Sequence, residues 1–227
     1  MTRSTLLALG LLALFDAGAS AAAERAIWTW EQASYAMLVD RAAGDAAIAF
    51  LRSKHVRTVY LYADAYQEQN LLEARPDLYR QLIRRLHARG LRASGQALAV
   101  GPAIPFWLDG IVLDWQGRTK PVSEQLIDLY DYVALMDYRD HAEGPDGIVS
   151  LGADEVEYAN RRHKKVVIGV DFTPGEIQKT SFDHLVEADL ERELERTERA
   201  FHGSPAFAGF ALHHFEAYRR WLERDRY

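Results

Sequence analysis

The chain has 227 residues, a formal net charge of −6 and no cysteine. Hydrophobic residues make up 48% of it and charged residues 26%, which is the composition of a globular protein. The absence of cysteine excludes thiol catalysis, cysteine-ligated zinc and disulfide cross-links. The mild acidity, without any basic block, argues against nucleic acid or an anionic membrane surface as the main partner.

Residues 1–23 have the pattern of a secretory signal peptide. Arg3 gives a positive start, Leu6–Phe15 is an apolar run, and small residues fill Ala17–Ala23 with Ala-x-Ala cleavage sites. The apolar run is shorter than the roughly 20 residues that a membrane span needs. We therefore expect a secreted or periplasmic bacterial protein with no membrane attachment after cleavage. A retained anchor is the alternative.

Residues 24–227 are predicted to form a single domain in which short apolar strands alternate with amphipathic helices. Most of the apolar runs are apolar nearly throughout, as strands covered on both faces should be. The seven predicted strands are Ala26–Trp30, Thr58–Ala63, Arg92–Val100, Ile111–Leu113, Tyr132–Met136, Val166–Val170 and Phe207–Leu212. Helices are predicted around residues 76–86, 154–163 and 186–194. Asp154 and Glu157 have capping-box spacing, which predicts that the middle helix begins there.

This alternation predicts parallel pairing, either in an open doubly wound sheet or in a (β/α) TIM-type barrel. No glycine-rich turn of the dinucleotide or P-loop type follows any predicted strand, which favours an α/β barrel and implies no nucleotide cofactor. With about seven recognisable strands, an incomplete barrel and a closed one with eight strands both stay open. Residues 24–227 lie at the low edge of the usual range for eight units, which is roughly 200 to over 400 residues.

In such barrels the active site lies at the carboxyl ends of the strands. Carboxylates, aromatic rings and a histidine follow five of the predicted strands, and the simplest alternative is that strands often end in polar loops. Two carboxyl groups across a cleft could hydrolyse a glycosidic bond. The predicted catalytic acids are Glu31, Asp137 and Asp171. The predicted sugar-binding residues are Trp30 and Tyr62, which would stack on sugar rings, with Asp64, Tyr138, Arg139 and His213.

Competing interpretations of these residues stay open. Asp137 and Arg139 could form a mutual or interstrand ion pair at the barrel rim, and Trp28 could fill the barrel interior. A metal site is not expected. His213 and His214 are adjacent, so on a strand they would face opposite sides, and the sequence has neither an H-x-H nor an H-E-x-x-H motif.

Two segments resemble the family-18 chitinases. Asp109–Gln116 resembles their D-G-x-D-x-D-x-E signature, and Tyr132–Asp140 is similar to their Met-x-Tyr strand. The resemblance implies a barrel in which the final Glu of the first motif is the general acid and the tyrosine supports the reacting sugar. By position, Gln116 replaces that acid, Val112 replaces the middle aspartate, and Tyr138 matches the tyrosine. Since an amide has no proton to donate to a leaving group, chitinase chemistry would be lost on this alignment.

A broader resemblance covers most of residues 24–227. The segments IWTWE, AIPFWLD, KPVSEQLIDLYDYVALMDYRD, VVIGVDF and GFALHHFEAY look like those of a group of secreted bacterial glycoside-hydrolase-like barrels. In that group an F-D-G-I-H-L-D-I-E-P-like strand with the candidate acid precedes the I-P-F-W segment. Here residues 91–95 run almost directly into residues 104–107, so that strand is expected to be absent. This alignment makes the likeness of Asp109–Gln116 to the chitinase signature a coincidence.

Three functional hypotheses follow. The first is an exported glycoside-hydrolase-like barrel that acts on or binds a polysaccharide or oligosaccharide. The second is a non-catalytic carbohydrate-binding barrel that has lost its general acid, and the third is a degenerate barrel with no ligand. The first two make carbohydrate the expected partner, without a cofactor.

Overall fold

The computed structural model describes residues 23–93 and 101–224. The strands in this part of the chain are β1 (Arg25–Thr29), β2 (Val56–Leu61), β3 (Arg92–Ala93), β4 (Ala103–Pro105), β5 (Val112–Trp115), β6 (Arg118–Pro121), β7 (Tyr132–Met136), β8 (Lys165–Asp171) and β9 (Phe207–His213). The helices are α1 (Glu31–Val39), α2 (Arg41–Ser53), α3 (Leu71–Ala74), α4 (Pro76–Ala88), α5 (Val122–Leu129), α6 (Ile148–Arg162), α7 (Glu187–Ala200) and α8 (Phe215–Arg224). The predicted signal peptide, apart from Ala23, and residues 94–100 of the third predicted strand lie outside the described residues.

Seven parallel strands form one sheet in the order β3-β2-β1-β9-β8-β7-β4. In a closed (β/α) barrel each strand pairs with its neighbours along the chain and the first strand pairs with the last. The pairing of β1 with β9 is present, and β3 and β4 are the two edges of the sheet. The prediction of an α/β, TIM-type architecture is confirmed, and within residues 23–93 and 101–224 the sheet is not closed.

The predicted fourth strand is present but lies outside the parallel sheet. Residues 112–115 form β5, which pairs antiparallel with β6 in a separate two-stranded hairpin, and the sheet takes β4 instead. The physical reason is the turn: Gln116 and Gly117 both have positive φ, 53° and 73°, as in the two-residue turns that match the twist of a hairpin. In the described part of the chain Asp109–Gln116 thus contributes no strand to the parallel sheet, unlike the strand that the resemblance to the chitinase signature implies.

The helix boundaries follow the apolar faces. Helix α4 begins at Pro76, as the leucine repeat predicts, since proline suits the first helical position. The prediction that the next helix begins near Asp154 is wrong, because α6 begins at Ile148. Asp154 and Glu157 lie on the exposed side of that helix, where Glu157 pairs with Arg161. None of the helices in the described residues is long and apolar enough to span a membrane.

The core has two layers, one on each face of the sheet. The larger layer lies between the sheet and the helices, and among its strand residues are Ile27, Val59, Leu135, Ile168, Phe210 and Leu212. The smaller layer fills the barrel interior with Ala26, Ala134, Val167 and Ala211, against which Trp28, Tyr60 and Tyr132 pack. Because side chains alternate along a strand, a residue two positions beyond an interior residue faces the interior side again. This parity decides which side chains meet at the carboxyl ends of the strands.

Candidate functional site

Four of the predicted site residues meet at the carboxyl ends of β1, β7, β8 and β9. Trp30, Tyr138, Asp171 and His213 each lie an even number of residues after an interior residue of the smaller core layer. They therefore project from the same face of the sheet. We call these four residues the rim site.

Hydrogen bonds connect three members of the rim site. Trp30 Nε1 donates to His213 Nε2 at 3.1 Å, and His213 Nδ1 lies 2.7 Å from Asp171 Oδ1. An indole nitrogen is a donor only, so His213 Nε2 must be the acceptor. The proton of the neutral imidazole then sits on Nδ1 and is donated to Asp171, an assignment that follows from the hydrogen-bond pattern.

Asp171 is held in turn by Thr173. The Thr173 backbone N–H donates to Asp171 Oδ2 and the Thr173 hydroxyl donates to Oδ1, both at 3.0 Å. Asp171 is buried, and both of its oxygens accept hydrogen bonds from the protein. The carboxylate therefore fixes the orientation of the His213 ring and, through it, that of Trp30.

Tyr138 completes the rim site. Its ring stacks on that of His213, with centroids 5.3 Å apart and planes 28° apart. Burial, together with the charge of Asp171, raises the pKa of the Tyr138 hydroxyl, so the phenol stays neutral. Gly169 makes room for this ring, because a Cβ atom at that position would lie 3.0 Å from Tyr138 Cε1.

Asp137 lies on the other face of the sheet, in the layer between β7 and α6. A Cβ atom on Gly152 of α6 would lie 3.1 Å from Asp137 Oδ2. The side chain is completely buried, and neither of its oxygens has a hydrogen-bond partner in the described part of the chain. Burial and the nearby charge of Asp109 raise its pKa to about 7, against the opposing effect of Arg139. Asp137 is thus not grouped with Tyr138.

Arg139 also lies apart from the rim site, and its ion-pair partner is Asp146. Arg139 Nη2 lies 2.9 Å from Asp146 Oδ1, and Nη1 donates to the Tyr138 carbonyl at 2.8 Å. The guanidinium also covers the ring of Phe106, 5.2 Å from its centroid. The mutual ion pair between Asp137 and Arg139 is therefore not formed, and the pair that Arg139 makes is with a residue of the loop after β7.

The remaining predicted residues lie at the ends of β1 and β2. Glu31 begins α1 directly after Trp30 and is half-buried. Tyr62 donates from its hydroxyl to the Ala65 carbonyl at 3.0 Å, and the exposed Asp64 accepts from the Ala65 backbone N–H. Desolvation, followed by the charges of Asp64 and Glu31, raises the pKa of Tyr62. These three residues thus form a neighbouring group beside the rim site.

Two acids beside Asp137 were not predicted from the sequence, the half-buried Asp109 and the buried Glu155. Glu155 is buried in α6, and its pKa is raised by burial and by a hydrogen bond with Asp109. A signal was present: Glu155 lies within the buried stripe formed by Ile148, Gly152, Val156 and Ala159. In residues 23–93 and 101–224 no group of three or more His, Asp or Glu side chains is placed to hold a metal ion.

No known protein family matches the chain, and no curated protein matches its sequence. Among solved structures the chain is similar to the GH18 chitinase ChiB from the chitin utilization locus of Flavobacterium johnsoniae, with 13% sequence identity and a TM-score of 0.28. The similarity covers 88% of this chain and 72% of the chitinase chain.

Proposed function

We propose that this protein is an exported, glycoside-hydrolase-like barrel that binds a polysaccharide or oligosaccharide at the rim site. The observation that carries the proposal is the hydrogen-bonded series Asp171–His213–Trp30. It fixes the edge of a tryptophan ring that is 39% exposed to solvent. The C–H faces of sugar rings stack on such aromatic surfaces.

Preorganisation supports a binding role. Because the Trp30 N–H is already bonded to His213, the ring keeps one orientation without a ligand, and binding does not have to order it. The position supports the proposal too, since ligands of (β/α) barrels bind at the carboxyl ends of the strands. His213 acts as a positioning residue here, because both of its ring nitrogens are engaged within the protein.

The carboxyl groups favour binding over hydrolysis. Glycoside hydrolysis generally needs a pair of carboxyl groups flanking the scissile bond. Of the three predicted catalytic acids, Asp171 has both oxygens hydrogen bonded and Asp137 faces the helix layer. Glu31 is the acid that lies next to the platform residue Trp30. The binding protein without a general acid is thus the version we favour, with hydrolysis at Asp171 or Glu31 as the second candidate.

A glycan array followed by calorimetry with the best glycan tests the proposal. We expect wild type to bind and Trp30→Ala to bind at least about tenfold more weakly, which is about 1.4 kcal/mol. Trp107→Ala is the matched control because Trp107 is also exposed, and it should leave the affinity unchanged. Failure to bind any glycan, or equal affinity of Trp30→Ala and wild type, would overturn the proposal.

A reducing-end assay on the same glycan separates the two candidates. We expect no release of reducing ends by wild type. Release that disappears in folded Asp171→Asn or Glu31→Gln would make the protein a hydrolase and restore a catalytic role to that residue. Export is tested separately by sequencing the amino terminus of the protein from the periplasm or medium, which we expect to begin near residue 24.

A further inference from the structure

Three carboxyl groups from three different elements converge outside the barrel. Asp109 comes from the 3₁₀ turn Phe106–Gly110 that follows β4, Asp137 from the end of β7, and Glu155 from α6. Both oxygens of Asp137, one oxygen of Asp109 and one of Glu155 are buried, and each lacks a hydrogen-bond partner among the described residues. We call these three residues the acid cluster.

The acid cluster must hold protons to be stable. A buried carboxylate without a partner costs several kcal/mol, whereas the neutral acid costs much less. Burial and Asp109 raise the pKa of Asp137 to about 7, and burial together with a hydrogen bond to Asp109 raises that of Glu155. A hydrogen bond between two carboxyl groups also requires a proton on one of them.

The charged groups that face Asp137 come from each element around it. Asp109 from the 3₁₀ turn and Glu155 from α6 act against its ionisation, and Arg139 from the loop after β7 acts in favour of it. The Arg139 guanidinium, however, is hydrogen bonded to Asp146 rather than to Asp137. Ionisation of the acid cluster therefore places like charges together with no direct counterion.

The cluster joins two parts of the molecule. Asp109 belongs to residues 106–121, which comprise the 3₁₀ turn and the β5–β6 hairpin; we call them the hairpin segment. Polar contacts attach the far end of this segment, where Lys120 pairs with Asp128 and Gln125 donates to the Leu113 carbonyl. Little apolar surface adds to them, because Leu108 packs against the core whereas Trp107, residues 111–113 and Trp115 are exposed. Asp137 and Glu155, by contrast, belong to the packed layer between the sheet and the helices.

We propose that the acid cluster is a proton-controlled latch, which holds the hairpin segment against β7 and α6 while Asp137 and Glu155 are protonated and releases the segment when they ionise. The rest of the barrel stays folded in both states, because its sheet does not include the hairpin. Rising pH therefore opens the latch, and falling pH closes it. The latch is independent of carbohydrate binding.

Fluorine NMR of the full chain labelled with 5-fluorotryptophan tests the latch, since Trp107 and Trp115 lie in the hairpin segment and three other tryptophans lie outside it. Between about pH 5 and about pH 9, we expect the Trp107 and Trp115 signals of wild type to move together with one midpoint. In Asp137→Asn, a neutral isostere, both signals should keep their low-pH positions. Asp114→Asn, which removes an exposed carboxyl group of the same hairpin, should titrate like wild type.

Two results would overturn the proposal: no titration of these signals in wild type, or the same titration in Asp137→Asn. If Asp137→Asn does not fold, Glu155→Gln takes its place, with the same expectation. Circular dichroism across the pH range checks that the barrel stays folded, and its unfolding together with the hairpin segment would also contradict a local latch.

Discussion

Trp30 directly follows β1, and His213 is the last residue of the adjacent strand β9. A hydrogen bond of 3.1 Å from indole Nε1 to imidazole Nε2 joins their side chains. The bond exists in one tautomer of His213 only, because an Nε2–H group would face the indole N–H. The orientation of an exposed aromatic ring thus depends on the position of one proton in a partly buried neighbour.

Replacing Asp171 by Asn should reverse that tautomer. With its oxygen kept on the Thr173 backbone N–H, the Asn amide group would point at His213 Nδ1 and force that atom to accept. Nε2 would then carry the proton and lose the bond from Trp30. Nitrogen-15 NMR of the imidazole should report the change, and we expect the free energy of unfolding to fall by about 1–3 kcal/mol.

The control for this substitution is Asp64→Asn, because Asp64 is an exposed carboxylate at the neighbouring strand end. It should leave the His213 tautomer and the free energy of unfolding unchanged. An Asp171→Asn protein that still carries its imidazole proton on Nδ1 would contradict the assigned hydrogen-bond series.

Gly169→Ala should displace the Tyr138 ring of the rim site and destabilise the protein. The added Cβ atom would lie 2.7 Å from the Leu135 carbonyl oxygen and 3.0 Å from the Tyr138 ring. Since that carbonyl belongs to the adjacent strand β7, we expect a loss of about 1–3 kcal/mol in urea denaturation and a shift of the His213 ring signals. Gly175→Ala, at a position with open space, should change neither quantity. A Gly169→Ala protein within about 0.5 kcal/mol of wild type would show that the strands separate easily.

The pH dependence of stability should carry the signature of Asp137. Its pKa is raised to about 7 in the folded protein, whereas an aspartate in an unfolded chain titrates near about 3.9. Its contribution to stability is therefore complete below about pH 4 and is lost as the pH rises through about 7. The Asn side chain of the Asp137→Asn variant does not titrate. From about pH 4 to about pH 7, the free energy of unfolding of wild type should therefore fall relative to that of the variant by about 4 kcal/mol.

Urea denaturation of both proteins at a series of pH values measures this difference. The difference between the two proteins isolates Asp137, because the other titrating groups are common to both. A difference that does not vary with pH would mean that the pKa of Asp137 is the same in the folded and the unfolded protein.

The hairpin turn gives a further prediction, confined to residues 111–121. Gly117 has a φ of 73°, where a Cβ atom costs about 1–2 kcal/mol. Hydrogen exchange of the hairpin amides should therefore be about tenfold faster or more in Gly117→Ala. Gly110→Ala is the control, because Gly110 has open space around it and no positive φ. Equal exchange rates in the two variants would contradict the assigned turn.

Much of the fold could be predicted from the sequence because its strands are covered on both faces. The predicted run Tyr132–Met136 coincides with β7, and the runs for β1, β2, β8 and β9 differ from the strands by a few residues. The run Ile111–Leu113 misled because an apolar stretch of that length fits an exposed hairpin equally well. Strand β4, with three residues that include Pro105, is too short to give a periodic signal.

The site was predictable in its location and less so in its pairings. The ends of the predicted strands indicate Trp30, Tyr138, Asp171 and His213 as site residues. Because successive side chains of a strand point to opposite faces of the sheet, Tyr138 and Asp137 are expected on different faces. The partner of Arg139 depends on the course of the loop after β7, which places Asp146 within reach. The hydrogen bond between Trp30 and His213 depends on the register of strands that are remote in the chain, which no local pattern encodes.

The pairing of β1 with β9 also has a consequence for folding, because it needs both ends of the described chain. Trp30 and His213 are 183 residues apart, so their contact closes a loop of nearly the whole described chain. Contacts of such long range form late and slowly during folding. A chain still emerging from the ribosome, or one truncated before β9, would have its Trp30 indole without the His213 acceptor and its strand β1 without one of its two neighbours. The rim site can therefore be completed only once β9 has been made and has paired with β1.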